Sequence, residues 1–260
     1  MPGRSERRRL SRGNGPKRGL PLDIVLPAVV ALLLGLVSFV ALNWVRQGPA
    51  GPPAAVIIDQ LGATDPGPEF VSEATDLLAG AGYTVDYYDP RVVTVELYQK
   101  FQRRGYDLII LRTHAAPLLS ENGVALFTNE PSTPDRALRE PLAWVSYNQG
   151  GAKLNGIPPE FISSFMEGSF DGTTVVMMGC NTLTGPGTAN AFLSRGATSV
   201  FGWDGSVSSV HTDESTLMLL RHLVTEGKTP EEARQAMDSH LRHDYLYGGD
   251  LQLLSARSGD

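Results

Sequence analysis

The chain has 260 residues, 42% of them hydrophobic and 19% charged, an ordinary globular balance. Its charge is split: residues 1–22 carry seven Lys/Arg against the single acid Glu6, whereas residues 47–260 carry 14 basic and 26 acidic residues. An acidic body argues against nucleic-acid binding, which needs basic charge on the folded face.

Residues 24–45 hold no charge. At roughly 1.5 Å per helical residue they span about 33 Å, enough to cross a bilayer core of about 30 Å. Trp44 stands where an interfacial aromatic belongs, and Pro27 is near enough to the start to be tolerated. The upstream cations should stay in the cytoplasm, which predicts a single-pass anchor with residues 1–23 inside and the body outside. A cleaved signal peptide is the competitor, but its apolar core usually runs only about 7–15 residues. Residues 46–53 read as a Pro/Gly linker.

After the linker, strands and helices alternate. AAVIID (54–59) reads as a buried strand, and the helix from Pro68 closes at Gly82. YTVDYYD (83–89) suits a sheet edge, its Tyr83, Tyr87 and Tyr88 reading as edge packing. A helix capped by Thr94 ends at Gly105, and YDLIILRT (106–113) is apolar on both faces, as a central parallel strand should be. Between residues 115 and 170, VALFTNE and WVSYN suit a small hairpin, and PPEFISSFMEG a short helix with Pro in its first turn. TTVVMMG (173–179) is a fourth strand, TANAFLSRG a short helix, and ATSVFGW (197–203) a fifth strand. Residues 214–227 are amphipathic. A capping box from Thr229 to Glu232 opens a last helix running to about His243. The part from Gly248 on is expected to be a flexible tail. Such alternation predicts a mostly parallel sheet covered on both faces, in one domain over residues 54–247.

In open α/β sheets, ligands bind at the carboxyl ends of the strands. His114 follows LIILRT directly, and Cys180, the only cysteine, follows VVMMG. A thiol is only slightly ionised near neutral pH, so a neighbouring base is what makes it a nucleophile. The alternative is a buried inert thiol, common for Cys. A body outside the cytoplasm would meet disulfide-favouring conditions, yet Cys180 has no intramolecular partner.

The blocks YDLIILRTHA and TTVVMMGCNT resemble the caspase-like cysteine peptidases, a clan including caspases, gingipains, clostripain, separase and the CHAT domains. Its signature is an apolar strand ending in His-Gly, then one ending in Cys. A third block, LSRGATSVFGWDGSVSSVHTDESTLMLLRHLVTEGKTPEEARQAM, is similar to the CHAT carboxyl half. The resemblance covers about residues 54–243 and implies a three-layer caspase-like α/β fold. It also implies a cysteine endopeptidase acting on a peptide or protein, with His114 as base and Cys180 as nucleophile. The N–H groups of Ala115 and Cys180 would hold the oxyanion. Asp204 would lie near the pocket for the residue before the scissile bond and favour a basic residue there. No cofactor is implied, although some relatives use calcium. The chain departs from the pattern in two places: Ala115 replaces Gly, and the His-to-Cys gap is 66 residues, so residues 115–170 must elaborate the cleft. These departures leave open a catalytically inactive, CHAT-type binding module on the outer face of the membrane.

Other chemistries fit less well. A glutamine-amidotransferase elbow needs small residues where Met178 and Thr182 stand. Gln60-Leu61-Gly62-Ala63 is no dinucleotide fingerprint. His240 and His243, His211 beside Asp213 and Glu214, and His222 read as surface or packing residues, not metal ligands.

Overall fold

The computed structural model describes residues 51–118 and 122–256. The predicted basic head (1–23) and anchor (24–45), and residues 46–50 of the predicted linker, lie outside them. Among the described residues no helix is long and apolar enough to cross a membrane. One compact unit begins at Pro52.

Its centre is a six-stranded sheet. Strands β1 (Ala54–Asp59), β2 (Thr84–Tyr88), β3 (Leu108–Arg112), β8 (Thr174–Met177), β9 (Ser199–Trp203) and β10 (Leu251–Ser255) lie in the order β10-β9-β8-β3-β1-β2. All pairings are parallel except β9 with β10. Successive side chains of a strand point to opposite faces, and the core divides accordingly. Val56, Ile58, Ile109, Leu111, Val175 and Met177 join one cluster, while Ala55, Ile57, Leu108, Ile110, Val176 and Met178 join the other.

Helices cover both faces. On the first lie α2 (Val95–Lys100), α4 (Pro159–Ser164) and α5 (Gly187–Leu193), through Tyr98, Phe161 and Phe192. On the second lie α1 (Pro68–Gly80), α6 (Ser209–Leu220), α7 (Pro230–Ala236) and α8 (Ser239–Arg242), through Phe70, Leu78, Leu219, Ala233 and Leu241. Each fully buried aliphatic or aromatic side chain contributes about 1.5–3 kcal/mol. The three-layer α/β fold with a mostly parallel sheet is therefore the one expected.

Three details differ. The expected hairpin is part of a four-stranded antiparallel sheet built from β4 (Ala115–Leu118), β5 (Gly123–Pro131), β6 (Ala143–Val145) and β7 (Leu154–Ile157); α3 (Pro134–Ala137) lies between β5 and β6. Its order is β4-β5-β7-β6, so β7 separates the two predicted partners. The presumed tail instead supplies β10, whose Leu251 is buried and pairs with Trp203. The last helix breaks after Ala236: its capping box forms, but Met237 and Asp238 are extended, with ψ of 142° and 140°.

A buried ion network ties the carboxyl ends together. Asp59 and Arg112 are register partners across β1 and β3. The Arg112 side chain is 1% exposed and donates to Asp59 Oδ1 at 2.9 Å, to both Asp213 carboxylate oxygens at 2.9 Å and to the Asp65 carbonyl at 3.0 Å. Burial pulls its pKa down, but the bonds and charges of Asp213 and Asp59 outweigh that and leave it raised. Removing one partner would strand a buried charge. Asp213→Ala is therefore expected to cost about 3–5 kcal/mol in a denaturant titration.

Candidate active site

β3 and β8 run in register, with Leu111 opposite Met177, and the Met178 N–H extends the ladder to the Leu111 carbonyl at 2.9 Å. His114 and Cys180 each stand three residues beyond that last pair. Gly179 makes the approach possible: a Cβ there would collide with the Thr113 carbonyl oxygen and lie 3.5 Å from Ala115 N. Past Cys180 the chain turns sharply through Asn181, whose φ is 60°. The buried Thr182 hydroxyl donates to the Gly179 carbonyl at 3.0 Å and accepts from Trp203 N–H at 3.0 Å. This turn differs from the amidotransferase elbow set aside on Met178 and Thr182.

His114 and Cys180 both line one cavity of about 390 Å³, with Leu61, Asp65, Gly179 and Val207. The imidazole Nε2 lies 2.9 Å from Thr64 Oγ1. The ring also packs against Tyr147 and Phe127, at centroid distances of 5.2 and 5.8 Å. Its backbone N–H donates at 2.9 Å to Gln60 Oε1; Gln60 is fully buried, and its amide also donates to Asn129 and Tyr147 at 2.8 Å. Burial lowers the His114 pKa, the nearby Asp65 carboxylate opposes that, and the Arg112 charge adds to it. The Cys180 sulfur is half-buried; Val207 N–H donates to it at 3.4 Å, and Val207 O accepts from it at 3.4 Å. Among the described residues, the thiol and the imidazole bond to Val207 and Thr64 and not to each other.

The other two predicted site residues fare differently. Ala115 opens β4 and is not itself a lining residue of the cavity. It is not among the residues of positive φ, so Ala in place of Gly carries no backbone strain here. Asp204 is placed apart from that cavity. It is not a lining residue, and its carboxylate accepts from Asp250 N–H and Gln252 Nε2, both at 2.8 Å, clamping β9 to β10. The antiparallel edge strand, unforeseen in the sequence, is what claims it.

Thr64, Asp65, Gln60, Tyr147 and Val207 escaped the sequence reading. One signal existed: Gln60 and the residues after it directly follow a central strand, the usual ligand edge. The four-stranded insert does elaborate the cleft, bringing Phe127 and Tyr147 to the His114 ring. His243 bonds Asp250 at 3.0 Å and His222 bonds Glu226 at 3.0 Å. Among the described residues no group of three or more His, Cys, Asp or Glu is placed to hold a metal.

No protein-family model matches this chain, and no curated protein matches it. The functional reading therefore stands on geometry.

Gly179→Ala is expected to force β3 and β8 apart at their ends, costing about 1–3 kcal/mol. Thiol labelling of Cys180 by a peptidyl electrophile should slow with it. Wild-type stability and labelling in that variant would contradict the close approach.

Proposed function

We propose that this chain is a caspase-like cysteine endopeptidase using His114 as general base and Cys180 as nucleophile. The observation that carries the reading is that both side chains line one cavity at the carboxyl ends of adjacent parallel strands. Thr64 occupies Nε2, which leaves Nδ1 as the nitrogen to take the thiol proton once the sulfur turns from Val207. The thiolate then attacks a peptide carbonyl carbon, and the resulting oxyanion accepts from the N–H groups of Cys180 and Ala115. The protonated ring gives its proton to the leaving nitrogen as the C–N bond breaks, leaving a thioester. Water deprotonated by His114 hydrolyses it and restores the thiol. Neither a metal nor a cofactor enters these steps. The preference for a basic residue loses its support with Asp204 committed to β10. The domain would work outside the cytoplasm, held by residues 24–45, on peptide or protein substrates.

A second reading, a binding module of the same fold without turnover, draws on the resting bonds to Thr64 and Val207. Labelling rates separate the two. A pool of peptidyl ketone electrophiles should modify Cys180, and His114→Ala should slow this about 10²–10⁴-fold with unchanged thermal melting. Equal rates in both proteins would favour the binding module.

The unprotonated ring is the base, so a lowered pKa extends activity toward acid. The acidic limb of kcat/KM should fall below the ordinary histidine value of about 6.5. Asp65→Asn removes the influence that opposes the shift, and should move the limb lower still. A limb moving upward in that variant would contradict the assignment of His114 as base.

A further inference from the structure

A second, larger cavity of about 1050 Å³ lies beside the first. The loop after β1 forms the wall between them: Leu61 and Asp65 line the smaller one, while Gly62, Ala63, Thr64, Pro66 and Gly67 line the larger. Of the three residues that contact the His114 ring, Thr64 and Tyr147 line the larger cavity and Phe127 does not; nor does Cys180. The imidazole lines the smaller cavity with the sulfur, and its contacts with Thr64 and Tyr147 lead from it toward the larger one.

Acyl transfer gives that arrangement a direction. The acyl half of a cleaved peptide stays on sulfur, while the nitrogen of the leaving half takes its proton from the imidazole. The leaving half must therefore lie on the histidine side. Resting on the peptidase reading above, we infer that the larger cavity holds the segment C-terminal to the scissile bond and takes a bulky apolar or aromatic side chain from it. Pro66, Pro68, Val71, Pro90 and Leu154 give it apolar walls, and the Tyr87 and Tyr147 rings line it. Tyr87, expected only to pack a sheet edge, reaches into the cavity to donate to Asp59 Oδ2 at 3.2 Å. The charge at the floor is already met, because Asp59 also accepts from Arg112 and from Gly62 N–H at 2.9 Å. Asp89 is likewise bonded to Arg91. A ligand that brings apolar surface fits this lining, since no buried charge awaits a partner.

The test uses internally quenched peptide pools with a randomised acyl half and either Phe or Gly fixed just after the scissile position. Acylation and deacylation are followed separately. Phe pools should acylate at least about tenfold faster than Gly pools, the size of discrimination an apolar pocket supplies. Deacylation should be identical, since the leaving half has gone. Ser72→Trp, at an exposed cavity-lining position on α1, should erase the difference while ketone labelling of Cys180 keeps its rate. Equal acylation of both pools by a protein that labels, or undiminished discrimination in Ser72→Trp, would overturn the assignment. A protein that neither labels nor cleaves sinks the peptidase reading instead, and this inference with it.

Discussion

The parallel pairing of β3 with β8 is the constraint on which the proposed chemistry rests. Adjacent parallel strands lie about 4.8 Å apart. In-register residues therefore leave the sheet side by side, and the equal three-residue offset from Leu111 and Met177 gives His114 and Cys180 a common exit. Gly179 removes the one side chain that would hold the strands apart at that point. A register shifted by one residue would turn one group to the opposite face.

Two further devices fix the imidazole. Below it, Arg112 binds β3 to β1 through Asp59, to the loop after β1 through the Asp65 carbonyl, and to α6 through Asp213. Beside it, the buried Gln60 amide joins the His114 backbone to Asn129 of the inserted sheet and to Tyr147 in the loop after β6. A fully bonded polar cluster of this kind holds one geometry, because any displacement leaves buried groups unpaired. Strand ends and insert thus act as one support for the imidazole, while the sulfur rests on the loop at Val207.

Much of this was legible in the sequence for plain reasons. Runs such as LIIL and VVMM, apolar at every position, announce strands buried on both faces, and the residues just past them are candidates by topology alone. Caps at Thr94 and Thr229 were readable because a side-chain oxygen three residues ahead of an N–H is a local signal. Pairings distant in the chain left no such mark. LQLLS became an antiparallel edge strand only because Trp203 and its neighbours offer an open ladder, and Asp204, just past Trp203, bonds to Asp250 and Gln252. Gln60, Thr64 and Val207 lie in loops, and the partners named above lie 27–87 positions away, beyond any local pattern.

The adjacency of the two reactive positions can be measured without any assumption about substrate. Cys180 is the only cysteine, so an intramolecular disulfide in His114→Cys has one possible pairing, and it requires Cα atoms about 4.4–6.8 Å apart. Mild oxidation of that variant should close the bond rapidly and completely in the folded monomer. If both thiols stay free, the strand ends do not meet, and the account of the site fails.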